Sequence, residues 1–177
     1  MGLSMKVKDY LESKQVSYQL LEHEPAFTAQ EIADAQHLPG RIVIKTVIVC
    51  ADGQFVMCVL PAVHRIDFGK LKDILGVSDV HLAEESEVSA LFTDCEVGAE
   101  PPFGEAYGLK VYADKILEEN EEIAFNAGTH TDMLRIKYRD FVRLVQPIVA
   151  NFGVHVARTE EENWREAGGE EEDNAKT

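Results

Sequence analysis

Three short stretches of this 177-residue chain carry residue types and spacings that suit chemistry. The first is Lys45, set among Ile42, Val43, Ile44, Val47, Ile48, Val49 and Cys50 in a run that reads as a buried strand. An isolated ammonium is costly there unless it meets an anion, which a binding cleft would supply. Lys45 equally fits an edge strand, where a lysine discourages aggregation or snorkels to water. The second stretch is Gly98-Ala99-Glu100-Pro101-Pro102-Phe103-Gly104. Its prolines stiffen a loop and its glycines permit close backbone approach to a ligand, although a plain surface turn has the same composition. The third is Asn126-Ala127-Gly128-Thr129-His130-Thr131-Asp132, a polar link between two apolar runs. Backbone N–H groups and the His130 imidazole there can face a carbonyl or amino group, or simply close a hairpin.

Other constellations fail. His23-Glu24-Pro25-Ala26-Phe27 is not a HExxH zinc motif, segment 98–104 has neither the Walker spacing nor its Lys-Ser/Thr ending, and GxGxxG and GxSxG are both missing. His23, His37, His64, His81 and His155 are scattered without metal-ligand spacing. No metal, no cofactor and no Ser-His-Asp triad are therefore expected. Cys50, Cys58 and Cys95 form no CxxC pair and read as reduced thiols. Glu84-Glu85 and Glu118-Glu119 read as solvated helix or turn faces.

The elements that must position these residues follow from periodicity. Met5 to Gln15 sets Val7, Tyr10, Leu11 and Lys14 at helical spacing, ahead of a strand-like Val16 to Leu21. Thr28-Ala29-Gln30-Glu31 fits a capping box that starts a helix towards His37, and Leu38-Pro39-Gly40 ends it. Arg41 to Cys50 and Gln54 to Leu60 flank Asp52-Gly53, a tight hairpin turn. A two-residue turn sets Lys45 opposite Leu60, Val47 opposite Cys58, and Cys50 opposite Phe55 on the other face, which forbids a Cys50–Cys58 bridge. Asp67 to Leu75 reads as a capped helix with Phe68, Leu71, Ile74 and Leu75 inward, and Glu84 to Phe92 as another. After the Val97–Gly108 loop, strands are expected over Leu109–Ala113, Ile123–Ala127 and Met133–Ile136, and a closing helix over Tyr138–Val145. This order of elements indicates α+β.

The length suits one domain, and 45% hydrophobic with 28% charged residues is a globular composition. The longest apolar stretch, Phe55 to Val63, is far short of the roughly 20 residues that cross a bilayer. No membrane association is expected, and Met1-Gly2-Leu3-Ser4-Met5-Lys6 resembles neither a secretory signal nor a myristoylation site, so the reading is cytoplasmic. A net charge of −15 argues against a general nucleic-acid binder. Residues 158–177 hold eight acids against three bases, a local net of −5, which marks an acidic tail beyond a 1–157 domain. That tail is either solubilising or a docking segment that uses Trp164.

Taken together, Leu38-Pro39-Gly40, Ile44-Lys45-Thr46, Leu60-Pro61-Ala62 with Arg65-Ile66-Asp67, Gly98 with Pro102-Phe103-Gly104, and Asn126-Ala127-Gly128-Thr129-His130 resemble one family. It is the YbaK/ProX family of aminoacyl-tRNA deacylases, related to the editing domain inserted in bacterial prolyl-tRNA synthetases. The resemblance spans about residues 5–146, in order and spacing. It implies a mixed, partly barrel-like sheet flanked by helices and a pocket for the aminoacylated 3′ end of a mischarged tRNA. It also implies ester hydrolysis. Carried over by residue, Lys45 matches the essential lysine, Gly98 the pocket-loop glycine, and Gly128-Thr129-His130 the segment lining the aminoacyl site.

The resemblance thus makes Lys45, Gly98 and His130 the catalytic candidates, with Thr46, Phe103, Gly104, Asn126, Gly128 and Thr129 around the substrate. Lys45 would hold the terminal phosphate or ribose, or polarise the ester carbonyl, while backbone N–H groups near Gly98 and Gly128 steady an oxyanion. Arg135, Lys137, Arg139 and Arg143, opposed within their segment only by Asp140, would supply the few phosphate contacts a grip on the acceptor end needs. The expected role is trans-editing of a tRNA carrying a small residue such as alanine, serine, threonine or cysteine, delivered weakly or by a synthetase or elongation factor. The competing reading is a non-catalytic module that binds an aminoacyl-tRNA 3′ end or a nucleotide.

Overall fold

Asp52 and Gly53 adopt φ of 46° and 83°, the paired positive angles of a type I′ turn. They join β2 (Ile44–Ala51) to β3 (Gln54–Pro61), and the register runs from Ile44 opposite Pro61 to Ala51 opposite Gln54, with Lys45 facing Leu60 and Cys50 facing Phe55 as the turn dictates. A computed structural model of the chain describes residues 5–24 and 36–156. The Thr28–Glu31 capping box and its helix, and the acidic tail with Trp164, lie outside those residues.

The described elements are α1 (Met5–Ser13), β1 (Gln19–Glu22), β2, β3, β4 (His64–Ile66), α2 (Phe68–Leu75), β5 (Val80–Leu82), α3 (Glu85–Leu91), β6 (Lys110–Asp114), β7 (Glu122–Asn126), β8 (Asp132–Lys137), α4 (Tyr138–Val145), β9 (Ile148–Ala150) and β10 (Gly153–His155). Short 3-10 turns cover Gly104–Tyr107 and Lys115–Glu119. Five strands form a mixed sheet in the order β5-β2-β3-β6-β9, with β6 and β9 joining in parallel. β1-β8-β7 make an antiparallel sheet, and β4 pairs with β10 in a two-stranded ladder. The class is α+β, and among the described residues no sheet closes on itself. One parallel bridge, Val43 to Ala124, ties β2 to the three-stranded sheet.

The two faces of β2–β3 bury separate cores. Ile44, Ile48, Met57 and Val59 pack with Phe103, Phe125, Phe141 and the α1 residues Val7 and Leu11. On the other face Val49, Cys58 and Leu60 pack with Leu71, Tyr112 and Phe152. Alternation along the strands is what sends neighbouring residues into different cores.

The helices follow their capping signals. Asp67 caps α2 by accepting the Lys70 N–H at 3.1 Å, and Glu84 and Glu87 form a reciprocal capping box at the start of α3. In α2, Phe68, Leu71 and Leu75 form one apolar stripe at i, i+3 and i+7, whereas Ile74 stands at its margin and is 37% exposed, contrary to expectation. α1 ends at Ser13, so Lys14 falls beyond it and is exposed, and β1 begins three residues after Val16. Cys50, Cys58 and Cys95 are all free thiols. No helix among the described residues is long and apolar enough to cross a membrane.

Candidate functional site

Where β2 leaves β7, the backbone opens a notch. The strands meet in parallel at Val43 and Ala124, and Ala124 donates its N–H to the Ile42 carbonyl at 2.9 Å. Two residues onward the same register sets Lys45 and Asn126 level on the facing edges. Thr46 Oγ1 and Asn126 Oδ1 are buried without a hydrogen-bond partner among the described residues. Orphaned buried polar atoms are rare in folded proteins and suit contact with a polar ligand.

Lys45 is half-buried on the opposite face from Thr46 and lines a cavity of about 700 Å³ with Val47, Arg65, Ile66, Asp67, Phe68, Leu82 and Val154. Burial pushes its ammonium below the usual 10.5. The walls are largely apolar and carry two cations, Lys45 and Arg65, against one carboxylate, Asp67, which caps α2, so the lining suits an anion with an apolar body. Arg65, part of the Arg65-Ile66-Asp67 stretch that carries the resemblance, is not among the candidate site residues expected from sequence; it stands on a three-residue strand too short to show a pattern.

The second cluster is built from two loops. Gly98 and Gly128 have φ of 88° and 99°, angles that side chains rarely adopt. These conformations let the loops lock together: Glu96 donates its N–H to the Gly128 carbonyl at 2.8 Å, and Gly128 donates its own to the Ala99 carbonyl at 2.9 Å. A Cβ on Gly98 would lie 3.3 Å from His130 Cε1. The His130 ring meets the Val97 carbonyl through Nε2 at 2.7 Å, and its backbone N–H donates to Glu96 Oε2 at 3.0 Å. Thr129 donates its hydroxyl to Asp132 Oδ2 at 2.6 Å.

Two N–H groups of these loops are engaged within the protein: that of Gly98 by Glu100 Oε1 at 2.8 Å and that of Gly128 by the Ala99 carbonyl at 2.9 Å. Burial raises the Glu100 carboxyl above its ordinary 4.5, opposed by the Gly98 N–H and by the charge of His130. Phe103 is fully buried between Tyr10 and Phe125, at ring distances of 5.4 and 5.3 Å. Gly104 is pressed against the Leu109 backbone and Val111. Both residues support the loop from beneath.

The structure therefore gathers Gly98, Gly128, Thr129 and His130 into one wall, leaves Thr46 and Asn126 with orphaned polar atoms, and gives Lys45 a cavity with Arg65. The basic segment is divided. Arg135 is engaged by Glu122 at 2.6 and 2.8 Å and Arg143 contacts Asp140 at 3.4 Å, whereas Lys137 and Arg139 are exposed. Among the described residues no cluster of three or more His, Cys, Asp and Glu is placed to hold a metal ion.

Comparison with known proteins places this geometry. The chain is 39% identical over 100 residues to the multifunctional Ser/Thr-tRNA deacylase ProXp-y of Escherichia coli, covering 56% of this chain and 59% of that protein's length. It is 31% identical over 115 residues to a proline--tRNA ligase of Staphylococcus aureus, covering 63% of this chain and 19% of the ligase. The crystal structure of a proposed trans-editing enzyme for prolyl tRNA synthetase superposes with a TM-score of 0.74 at 22% identity, covering 86% of this chain and 99% of the other, a likeness of fold. The model of the aminoacyl-tRNA editing domain matches residues 23–144, more than half of the chain, and the protein belongs to that family.

Proposed function

We propose that this protein is a trans-editing hydrolase that cleaves the aminoacyl ester of a mischarged tRNA carrying a small amino acid. The observation that carries the reading is a half-buried Lys45 beside Arg65 in a cavity of largely apolar lining, in a chain of the editing family. An α-aminoacyl ester is already activated, so positioning and charge stabilisation suffice and no protein nucleophile is required. Lys45 holds the terminal phosphate or ribose or polarises the ester carbonyl, and partial burial strengthens its pull on an anion. With the N–H groups of Gly98 and Gly128 engaged elsewhere, the oxyanion falls to Lys45. Thr46 Oγ1 and Asn126 Oδ1 are acceptors suited to the α-ammonium group. The Gly98–Gly128–His130 wall limits the size of the amino acid, and the terminal ribose hydroxyl with a positioned water supplies the attack.

The catalytic unit in this reading is residues 1–157, with 158–177 as an acidic appendage, and Lys137 and Arg139 touch the acceptor-stem phosphates. The protein recognises the tRNA weakly itself or receives it from a synthetase or elongation factor. The decisive experiment is release of labelled amino acid from a panel of mischarged tRNAs by wild type beside Lys45→Ala. Release that depends on Lys45 is expected. Release that Lys45→Ala leaves unchanged overturns the mechanism. No release by folded protein overturns the enzyme in favour of a module that binds an aminoacyl-tRNA 3′ end or a nucleotide.

A further inference from the structure

Two strands from Lys45, on the same face of the five-stranded sheet, stands a buried carboxylate that the proposed reaction does not use. Lys45 pairs with Leu60, and one step beyond the Val59–Ala113 partners the register sets Leu60 level with Asp114. Ammonium, isobutyl and carboxylate thus form a row across about 10 Å of sheet. His64 meets the far end of this row, its Nδ1 3.8 Å from Asp114 Oδ2, with the two side chains 14% and 2% exposed. That Nδ1 is buried without a hydrogen-bond partner. The ring also stands edge-on to His155, its register partner in the β4–β10 ladder, with centroids 5.6 Å apart.

The arrangement is built into the backbone. Any Cβ at position 153 would run into the Asp114 carboxylate and come within 3.3 Å of His64 Nδ1, so the close approach requires Gly153. Arg65 and Val154, the register partners between these pairs, line the cavity that Lys45 lines. Because side chains alternate, His64 and His155 project to the opposite face of the ladder. One two-stranded ladder is therefore both a wall of the Lys45 cavity and the seat of the imidazole.

We propose that the Asp114–His64 pair is a positioning element for Lys45, in which a neutral imidazole leaves the ammonium directed into the cavity and a protonated one sets a repelling charge beside it. The inference rests on the reading of Lys45 as the group that holds the aminoacyl end. The charged groups around His64 come from every packed element: Lys45 from β2, Asp114 from β6 and His155 from β10, with Lys70 of α2 acting on Asp114. Burial holds His64 below its ordinary 6.5; Asp114 opposes this, while His155 and Lys45 add to it. Burial likewise raises Asp114 above 3.8, against the Ile116 N–H, His64, the Gly153 N–H and Lys70. The imidazole therefore takes up its proton at a lower pH than an ordinary histidine.

The test is side-chain carbon NMR of Lys45 through the imidazole titration, beside the pH profile of kcat/KM for aminoacyl-tRNA hydrolysis. In wild type the Lys45 signal shifts in a step below pH 6.5, and kcat/KM falls along an acid limb at the same pH. In His64→Asn both features vanish. Asp114→Asn moves the step to lower pH, because a charge that stabilised imidazolium is gone, and His155→Asn moves it higher. A Lys45 signal without a step, or an acid limb that survives in His64→Asn, overturns the proposal. Should His64→Asn fail to fold, the opposite displacements in Asp114→Asn and His155→Asn decide it, and no displacement overturns it. A step that moves as stated in a protein that releases no amino acid sustains the coupling and defeats only the deacylase reading.

Discussion

Two regions of the molecule, the glycine loops and the β2 side, solve opposite problems. The wall built from segments 96–100 and 127–132 has engaged most of its polar groups: the Gly98 and Gly128 N–H groups, His130 Nε2 and backbone N–H, and the Thr129 hydroxyl have partners within it. The β2 side has not. Lys45 is half-buried with burial alone moving its pKa, Arg65 shares its cavity, and Thr46 Oγ1 is an orphan. A saturated wall can give shape but has little bonding left to offer, whereas an unsatisfied edge can exchange a free-state penalty for a bond to substrate. Under the proposed function, the glycine loops would measure the amino acid and β2 would act on the ester.

Lys45→Ala breaks this comparison most severely. If the ammonium alone meets the developing charge, hydrolysis falls by about 10²–10³-fold, the scale on which one oxyanion donor is lost. The melting temperature should hold or rise, because a charge desolvated in the free protein is gone. Kinetics beside differential scanning calorimetry check both halves. Gly98→Ala attacks the wall instead. The backbone at φ 88° resists a side chain and the new Cβ crowds His130 at 3.3 Å, so about 1–2 kcal/mol of stability is lost. The sharper readout is specificity: discrimination among mischarged tRNAs should change more in Gly98→Ala than in Lys45→Ala, which should slow all substrates alike.

The same contrast explains what was legible in the sequence. The Asp52-Gly53 turn carries its register in two residues, and Tyr138–Val145 shows its amphipathic stripe within one helix, so both were readable locally. The Lys45 cavity was not, because its wall joins His64–Ile66 to Gly153–His155, three-residue strands distant in sequence and too short to alternate visibly. The glycines at 98 and 128 were readable as special backbone positions, but where their N–H groups point depends on Glu100 and Ala99 and cannot be read from composition. Phe103 looked like a loop residue because prolines precede it; its burial is decided by Tyr10 of α1 and Phe125 of β7. Lys45, standing alone among β-branched neighbours, was conspicuous because a charge in that setting needs a reason.

Thr46→Val sharpens the comparison at the notch. The hydroxyl is buried without a partner in the free protein, so replacing it with a methyl should leave stability unchanged or raise it by up to about 1 kcal/mol. If the orphan serves the substrate, KM rises several-fold while the protein melts no lower. A lower melting temperature with unchanged KM would show that the hydroxyl supports the fold instead.

The smallest effects belong to the basic segment, and they divide along the ion pairs. Arg135 is clamped to Glu122 through two nitrogens at 2.6 and 2.8 Å, with side chains 33% and 40% exposed. Removing it costs at most about 1 kcal/mol of stability, as for other solvent-exposed pairs. Its charge is largely spent on Glu122, so tRNA affinity should barely change. Lys137 and Arg139 are exposed at the start of α4, where a phosphate can reach them. Lys137→Ala and Arg139→Ala should each weaken tRNA binding modestly and lower the slope of log affinity against log salt by about 1. Binding titrations at several salt concentrations separate the cases. An unchanged slope in both variants removes α4 from the tRNA surface, and a reduced slope in Arg135→Ala would mean that tRNA binding releases that arginine from Glu122.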